Sequence, residues 1–108
     1  MKTLKFDKAL VPLILSGEKT STWRVFDDKD LQEGDTCEFV NSQTGEKFAH
    51  VKLTRVFEKE LSALTEADMS GHEKYESIEV LLHTFRRYYG EKVTPGTLVK
   101  IAHFVLVP

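Results

Sequence analysis

The sequence predicts an α+β fold, a small mixed β-barrel carrying two or three flanking helices. Three observations carry that reading. Four stretches rich in β-branched and aromatic residues are joined by dense turn chemistry, which favours antiparallel pairing and curvature. One strongly periodic helical stripe lies in the second half of the chain. The segment from Thr97 to Val107 is apolar on both of its faces, as a strand in the middle of a sheet is.

The elements follow in order. Leu4 and Phe6 share one face of Lys2–Phe6, a short strand. Asp7 can cap what comes next, where Leu10, Leu13, Ile14 and Gly17 fall at helical spacing and Gly17 is the natural stop. Pro12 would forfeit a backbone hydrogen bond inside a helix, so the regular helix is expected to begin near it. Thr20–Phe26 reads as a strand ending in the Asp27-Asp28-Lys29-Asp30 turn. After the Glu33-Gly34-Asp35 turn comes a third strand, Thr36–Val40, and a hairpin through Asn41–Glu46 leads into a longer one, Lys47 to about Phe57.

The period then changes. Leu64–Asp68 reads as a short capped helix, broken at Ser70-Gly71. Ile78, Leu81, Leu82, Phe85, Tyr88 and Tyr89 recur at i, i+3, i+4, i+7, i+10 and i+11, the clearest helix of all, with Gly90 at its end. A Pro95-Gly96 turn introduces Thr97–Val107, expected to be central rather than an edge.

No repeat, low-complexity tract or linker divides the 108 residues, which make one domain, 1–108. The formal charge of −2 excludes a strongly basic nucleic-acid coat protein while leaving room for a local basic site. The single cysteine, Cys37, cannot form an internal disulfide, and four scattered histidines make no metal-ligand spacing. The longest apolar run, Ala9–Leu15, contains a proline and falls far short of the ~20 residues a membrane helix needs. The charged N-terminal stretch does not read as a signal peptide. These features lead us to expect a reduced, cytoplasmic protein with no membrane partner, and nothing in them sets an oligomeric state.

Chemistry concentrates in Ser16-Gly17-Glu18-Lys19-Thr20-Ser21-Thr22-Trp23-Arg24, where a helix stops and a strand begins. In a regular strand Thr20, Thr22 and Arg24 share one face at about 7 Å spacing, with Ser21, Trp23 and Val25 on the other. Two hydroxyls, a guanidinium and the Lys19 ammonium at the turn are donors for anionic or carbonyl oxygens. The same spacing equally fits an ordinary exposed strand face, since Thr and Trp are good strand formers.

Gly17-x-Lys19-x-x-x-x-Arg24, placed between a short helix and a strand, resembles the signature of ASCH domains, the activating signal cointegrator homology group. Chain length, the Glu33-Gly34-Asp35 turn, the Leu64-Thr65-Glu66 helix start and the final strand fit the same group. The resemblance implies a PUA-like β-barrel, related to modules that bind RNA or modified bases, with a cleft lined by Lys19 and Arg24. Within the group the chain is similar to short bacterial amidohydrolases that remove the acetyl group from N4-acetylcytidine. Their Gly-x-Lys-Thr-x-Thr-x-Arg stretch is met by Gly17, Lys19, Thr20, Thr22 and Arg24. That similarity implies Lys19 and Thr22 as catalytic residues, with the catalytic glutamate at Glu73 across a one-residue gap, and Glu76 as the fallback. Gly17, Lys19, Thr20 and Arg24 become ligand-binding residues, with Arg24 serving the ligand rather than the fold, and no cofactor or metal is implied.

Three functions stay open at this point: a binding module for RNA or a modified nucleoside, an amidohydrolase for N4-acylated cytidine, and a protein-interaction module of a regulatory complex. Thr22 separates the first two, because a binder has little need of a hydroxyl beside the lysine. Amide hydrolysis demands an activated nucleophile. Lys19 can activate Thr22 only as the neutral amine, so its pKa must fall by about 3 from the usual ~10.4, a difference of ~4 kcal/mol. Burial and the Arg24 cation push that way, an ionised Glu73 pushes back, and the rate is expected to rise with pH through the lysine's lowered pKa. Cys37 reads as a core thiol, Trp23 as core, and His83 as a residue flanking its helix stripe. Tyr88 and Tyr89 extend that stripe, while Arg86, Arg87 and Lys74 can add local positive potential.

Overall fold

A computed structural model describing residues 1–108 builds five strands into one sheet. In chain order they are β1 (Lys2–Phe6), β2 (Ser21–Val25), β3 (Thr36–Asn41), β4 (Lys47–Glu60) and β5 (Leu98–Val107). Across the sheet the order is β1-β3-β4-β5-β2. β1 pairs in parallel with β3, and every other pair is antiparallel. The parallel pair exists because β2 goes to the far edge. The chain leaves β1, makes α1 (Val11–Ser16), runs along that far edge, and only then returns to lay β3 beside β1.

The sheet curls into a half-barrel, so the barrel expected from the sequence is closed only in part. β1 and β2, the two edges, share no ladder. A side chain spans them instead: Arg24 Nη2 donates to the Lys5 carbonyl at 3.3 Å, and the guanidinium lies 5.0 Å from the centre of the Phe6 ring. Arg24 therefore holds the seam of the sheet as well as facing its cleft.

Two apolar clusters occupy the two faces. Leu4, Phe6, Ile14, Phe39, Leu53 and Phe104 belong to the first, and Trp23, Val25, Leu81, Phe85, Val99 and Ile101 to the second. β5 feeds both, Ala102 and Phe104 to one and Val99 and Ile101 to the other, between β4 and β2. Its double-faced sequence thus has the central place expected of it. Cys37 lies fully buried in the first cluster, where burial pushes its thiol pKa up, the environment of a packed rather than a reactive sulfur.

The helical punctuation also falls as read. Asp7 accepts from Ala9 N at 2.9 Å at the head of a single 3₁₀ turn, Pro12 sits in the first turn of α1, and Gly17 ends it with φ of 85°. α2 (Ile78–Tyr89) starts at Ser77, whose hydroxyl accepts from Val80 N, and stops at Gly90. Two readings need correction. Leu64–Asp68 forms no α-helix, only a 3₁₀ turn at Ala67–Met69: Thr65 and Asp68 cap each other as at a helix start, but Ser70 is extended and Gly71 left-handed, so the chain turns away after one turn. The stripe of α2 is narrower than its period: Leu81, Leu82 and Phe85 are buried and Tyr89 stacks on Phe85, but Tyr88 is 78% exposed. Only the middle turns of α2 lie over the sheet. No helix is long and apolar enough to cross a membrane.

Candidate functional site

The site is built where α1 ends and β2 begins. Gly17 turns the chain, and Lys19 N then donates back to Leu13 O at 3.0 Å, which brings the Lys19 side chain under cover, 5% exposed. A second segment docks there. The Gly71 carbonyl accepts from both Thr20 N (2.8 Å) and Ser21 N (3.1 Å), clamping the loop onto the first residues of β2. Gly71 has φ of +75°, and a Cβ on it would lie 2.0 Å from Thr20 Oγ1, so no other residue fits without movement. Gly71→Ala should therefore cost about 2 kcal/mol or more, from the left-handed backbone and the clash together, measurable by urea unfolding.

The clamp delivers the next two residues. Glu73 Oε2 comes within 2.8 Å of Lys19 Nζ, which donates to it across 54 positions of sequence. His72 stacks on Trp23, ring centroids 4.0 Å apart and planes 12° from parallel. Its Nδ1 is 2.9 Å from the Glu73 carbonyl and 3.1 Å from Glu73 Oε2.

These groups line one cleft of about 380 Å³ between the two sheet edges and α2. Lys19, Thr22, Arg24 and Glu73 all face it, walled by Trp23, Tyr75, Phe85 and Tyr89, with Lys5, Asp7 and Tyr88 near the opening. Thr22 is buried, and its hydroxyl makes no hydrogen bond to the protein. Two of the residues read as ligand-binding lie outside the lining. Gly17 is the helix cap, and the Thr20 side chain packs on Gly71. Glu76 lines a different hollow, with Thr65, Met69 and Ile78. Trp23 belongs to the second apolar cluster, as expected, and shows an edge to the cleft. His83 is exposed, and Arg86 Nε is bonded to the Val93 carbonyl, away from the site.

Sequence reasoning missed His72 and Tyr75. Their only signal is position: both flank Glu73 just after a Ser-Gly break, and nothing local shows that the break docks on β2.

Burial dominates the electrostatics. It lowers the pKa of Lys19, with Arg24 adding repulsion, while Glu73 resists by holding the proton on. Burial opposes ionisation of Glu73, but the His72 ring and the Lys19 ammonium together hold its carboxyl below the usual carboxylate range. Tyr75 is pushed up to about 12 by burial, then by Glu73, and stays a phenol. Arg24 has no carboxylate partner, and its Nε is buried without a bond.

His72 is pushed down to about 4, chiefly by burial and then by Lys19. Between about pH 4 and its ordinary 6.5 the unfolded chain binds a proton there that the folded chain refuses. Stability is thus full above about pH 6.5 and declines as pH falls through that window, by roughly 3 kcal/mol in all. The depressed Glu73 acts in the same direction at its own lower pH. Urea unfolding at pH 7, 5.5 and 4 checks this, and His72→Asn should flatten the slope.

No family model and no curated protein matches the chain. Solved structures do. A DUF984-family protein of Enterococcus faecalis V583 superposes with a TM-score of 0.75 at 20% identity, over 92% of this chain and 70% of that one. The ASCH domain from Lactobacillus crispatus JV V101 gives 0.70 at 18%, over 91% and 70%. ASCH from Zymomonas mobilis gives 0.68 at 10%, over 95% and 65%. At these identities the likeness is one of fold, and the fold is ASCH-like, of the PUA-like kind that the Gly17–Arg24 stretch implies.

Proposed function

We propose that the cleft binds a modified nucleoside and that Lys19, Thr22 and Glu73 deacylate it, N4-acetylcytidine or a related N4-acylated cytidine being the substrate. One observation carries this: a buried Lys19 paired with a partly exposed Glu73, and an unbonded hydroxyl on the buried residue Thr22, on the wall of the same cleft. Burying the Lys19 ammonium is costly and such a pair is weak support for stability alone, so its place in one cleft with a free hydroxyl favours chemistry over simple binding.

The pair supplies both an acid and a base. A ligand filling the cleft expels water and favours the uncharged form, with the proton moved along the 2.8 Å contact from Lys19 to Glu73. Thr22 Oγ1 then attacks the acyl carbonyl as the neutral Lys19 amine takes its proton. Arg24, the cation without a carboxylate, faces the developing oxyanion. Glu73 protonates the departing exocyclic nitrogen, releasing cytidine and leaving an acyl ester on Thr22. Water attacks that ester, giving its proton to Glu73, while Lys19 returns a proton to Thr22 Oγ1. The acid product leaves and every group regains its starting proton.

Because one proton serves both members, a rate rising through the lysine pKa gives way to a plateau at neutral pH. It falls on the alkaline side as that proton is lost.

The test is to incubate the protein with N4-acetylcytidine and a panel of acylated nucleosides and to follow loss of the acyl group. Turnover supports the reading. Saturable binding of nucleoside or RNA without turnover assigns the cleft to recognition alone, with Lys19 and Arg24 as its donors.

A further inference from the structure

We propose that His72 is the positioning residue of the cleft: its ring, seated on Trp23, donates Nδ1–H to the Glu73 carbonyl, lies against the carboxylate, and so holds that side chain on Lys19. The inference rests on the reading of Lys19, Thr22 and Glu73 as the reacting groups.

Three geometric facts support it. Nδ1 lies within bonding distance of two Glu73 oxygens, the carbonyl and Oε2, and neither can donate when the carboxylate is ionised. The proton between them must therefore sit on Nδ1, and in the neutral ring Nε2 is left with its lone pair. The ring cannot turn away, because it stacks on Trp23 and its side chain is 6% exposed.

Glu73, by contrast, is 41% exposed and free to swing into solvent if only Lys19 holds it. The His72 ring, bonded to the Glu73 carbonyl at 2.9 Å and 3.1 Å from Oε2, removes that freedom, and misplacement by about 1 Å can cost 10²-fold in rate. Gly71 fixes the backbone that makes the contact. The other ionisable groups facing the pair are Lys19 from the α1–β2 turn, Arg24 from β2 and Tyr75 from the same loop. Tyr88 and Tyr89 approach from α2, and Lys5 and Asp7 from the end of β1. All remain in place when His72 alone is changed, so a difference between variants reports on His72.

The experiment follows the Glu73 carboxyl by ¹³C NMR titration in the ligand-free protein, for wild type, His72→Asn and His72→Leu. Asn places an amide N–H close to Nδ1, whereas Leu fills the space with no donor. Glu73 should titrate below the usual carboxylate range in wild type and His72→Asn, and upward by about one pH unit in His72→Leu. With N4-acetylcytidine, kcat should fall up to about 100-fold in His72→Leu with KM nearly unchanged, and recover in His72→Asn.

Identical Glu73 titrations in all three folded proteins would overturn the proposal, as would full kcat in His72→Leu. If that variant does not fold, His72→Gln replaces it. Its donor lies near Nε2 instead, so it should behave as the leucine does, and behaviour like His72→Asn would count against the assignment. If wild type turns over no acylated nucleoside, the titration still decides the role of His72, and only the deacylase reading fails.

Discussion

Thr22→Ala is expected to lose deacylation by on the order of 10³-fold or more while the protein stays folded and still binds nucleoside. The hydroxyl makes no hydrogen bond to the protein, so its removal strands no partner, and the buried γ-methyl lost with it costs only about 1 kcal/mol. Lys19→Ala should be no milder, and the double variant little worse than either, as for groups that act as one unit. Binding should suffer more from Lys19→Ala, which leaves the Glu73 carboxylate in the cleft without its cation. Burst kinetics on N4-acetylcytidine check the scheme directly, since an acyl ester on Thr22 would release cytidine before the acid. Full activity in Thr22→Ala would leave water, activated by Lys19 or Glu73, as the attacking group.

Trp23→Ala should have the largest effect on stability, about 3–5 kcal/mol, a sizeable share of what a domain this size possesses. Trp23 lies between His72 and Phe85, with the Phe85 ring 6.4 Å away and 10° from parallel, so its loss opens the second apolar cluster and removes the seat of His72. Trp23→Phe should cost far less. The indole N–H is buried with no partner, so losing it sacrifices no hydrogen bond, and an aromatic face remains. Urea midpoints for the two variants separate these outcomes.

The local features were legible in the sequence because local chemistry decides them. A proline that cannot donate and a glycine that can turn left-handed fix the ends of α1, and a strand apolar on both faces can only lie inside a sheet. What failed to show depends on the path of the chain through space. Nothing near β1 indicates a parallel partner more than thirty residues away, because the position of β2 decides it. Tyr88 keeps the helical period yet stays in solvent, since period cannot tell where the sheet beneath the helix stops. The Gly17–Arg24 stretch located one wall of the cleft. The opposite wall was reachable only by resemblance for Glu73, and not at all for His72, whose placement comes from the Gly71 clamp on β2.

The place of β2 has a consequence for synthesis. Its only ladder partner is β5, with Ser21 set against His103, so the strand bearing Thr22 and Arg24 has nothing to pair with until β5 has been made. Contacts of such long sequence separation form slowly, because the intervening loop must be closed first. On the ribosome the Lys19–Arg24 segment therefore waits, already translated and without its ladder partner, for β5 to emerge. A nascent chain lacking β5 leaves β2 unpaired, so the cleft can engage a ligand only after β5 has emerged.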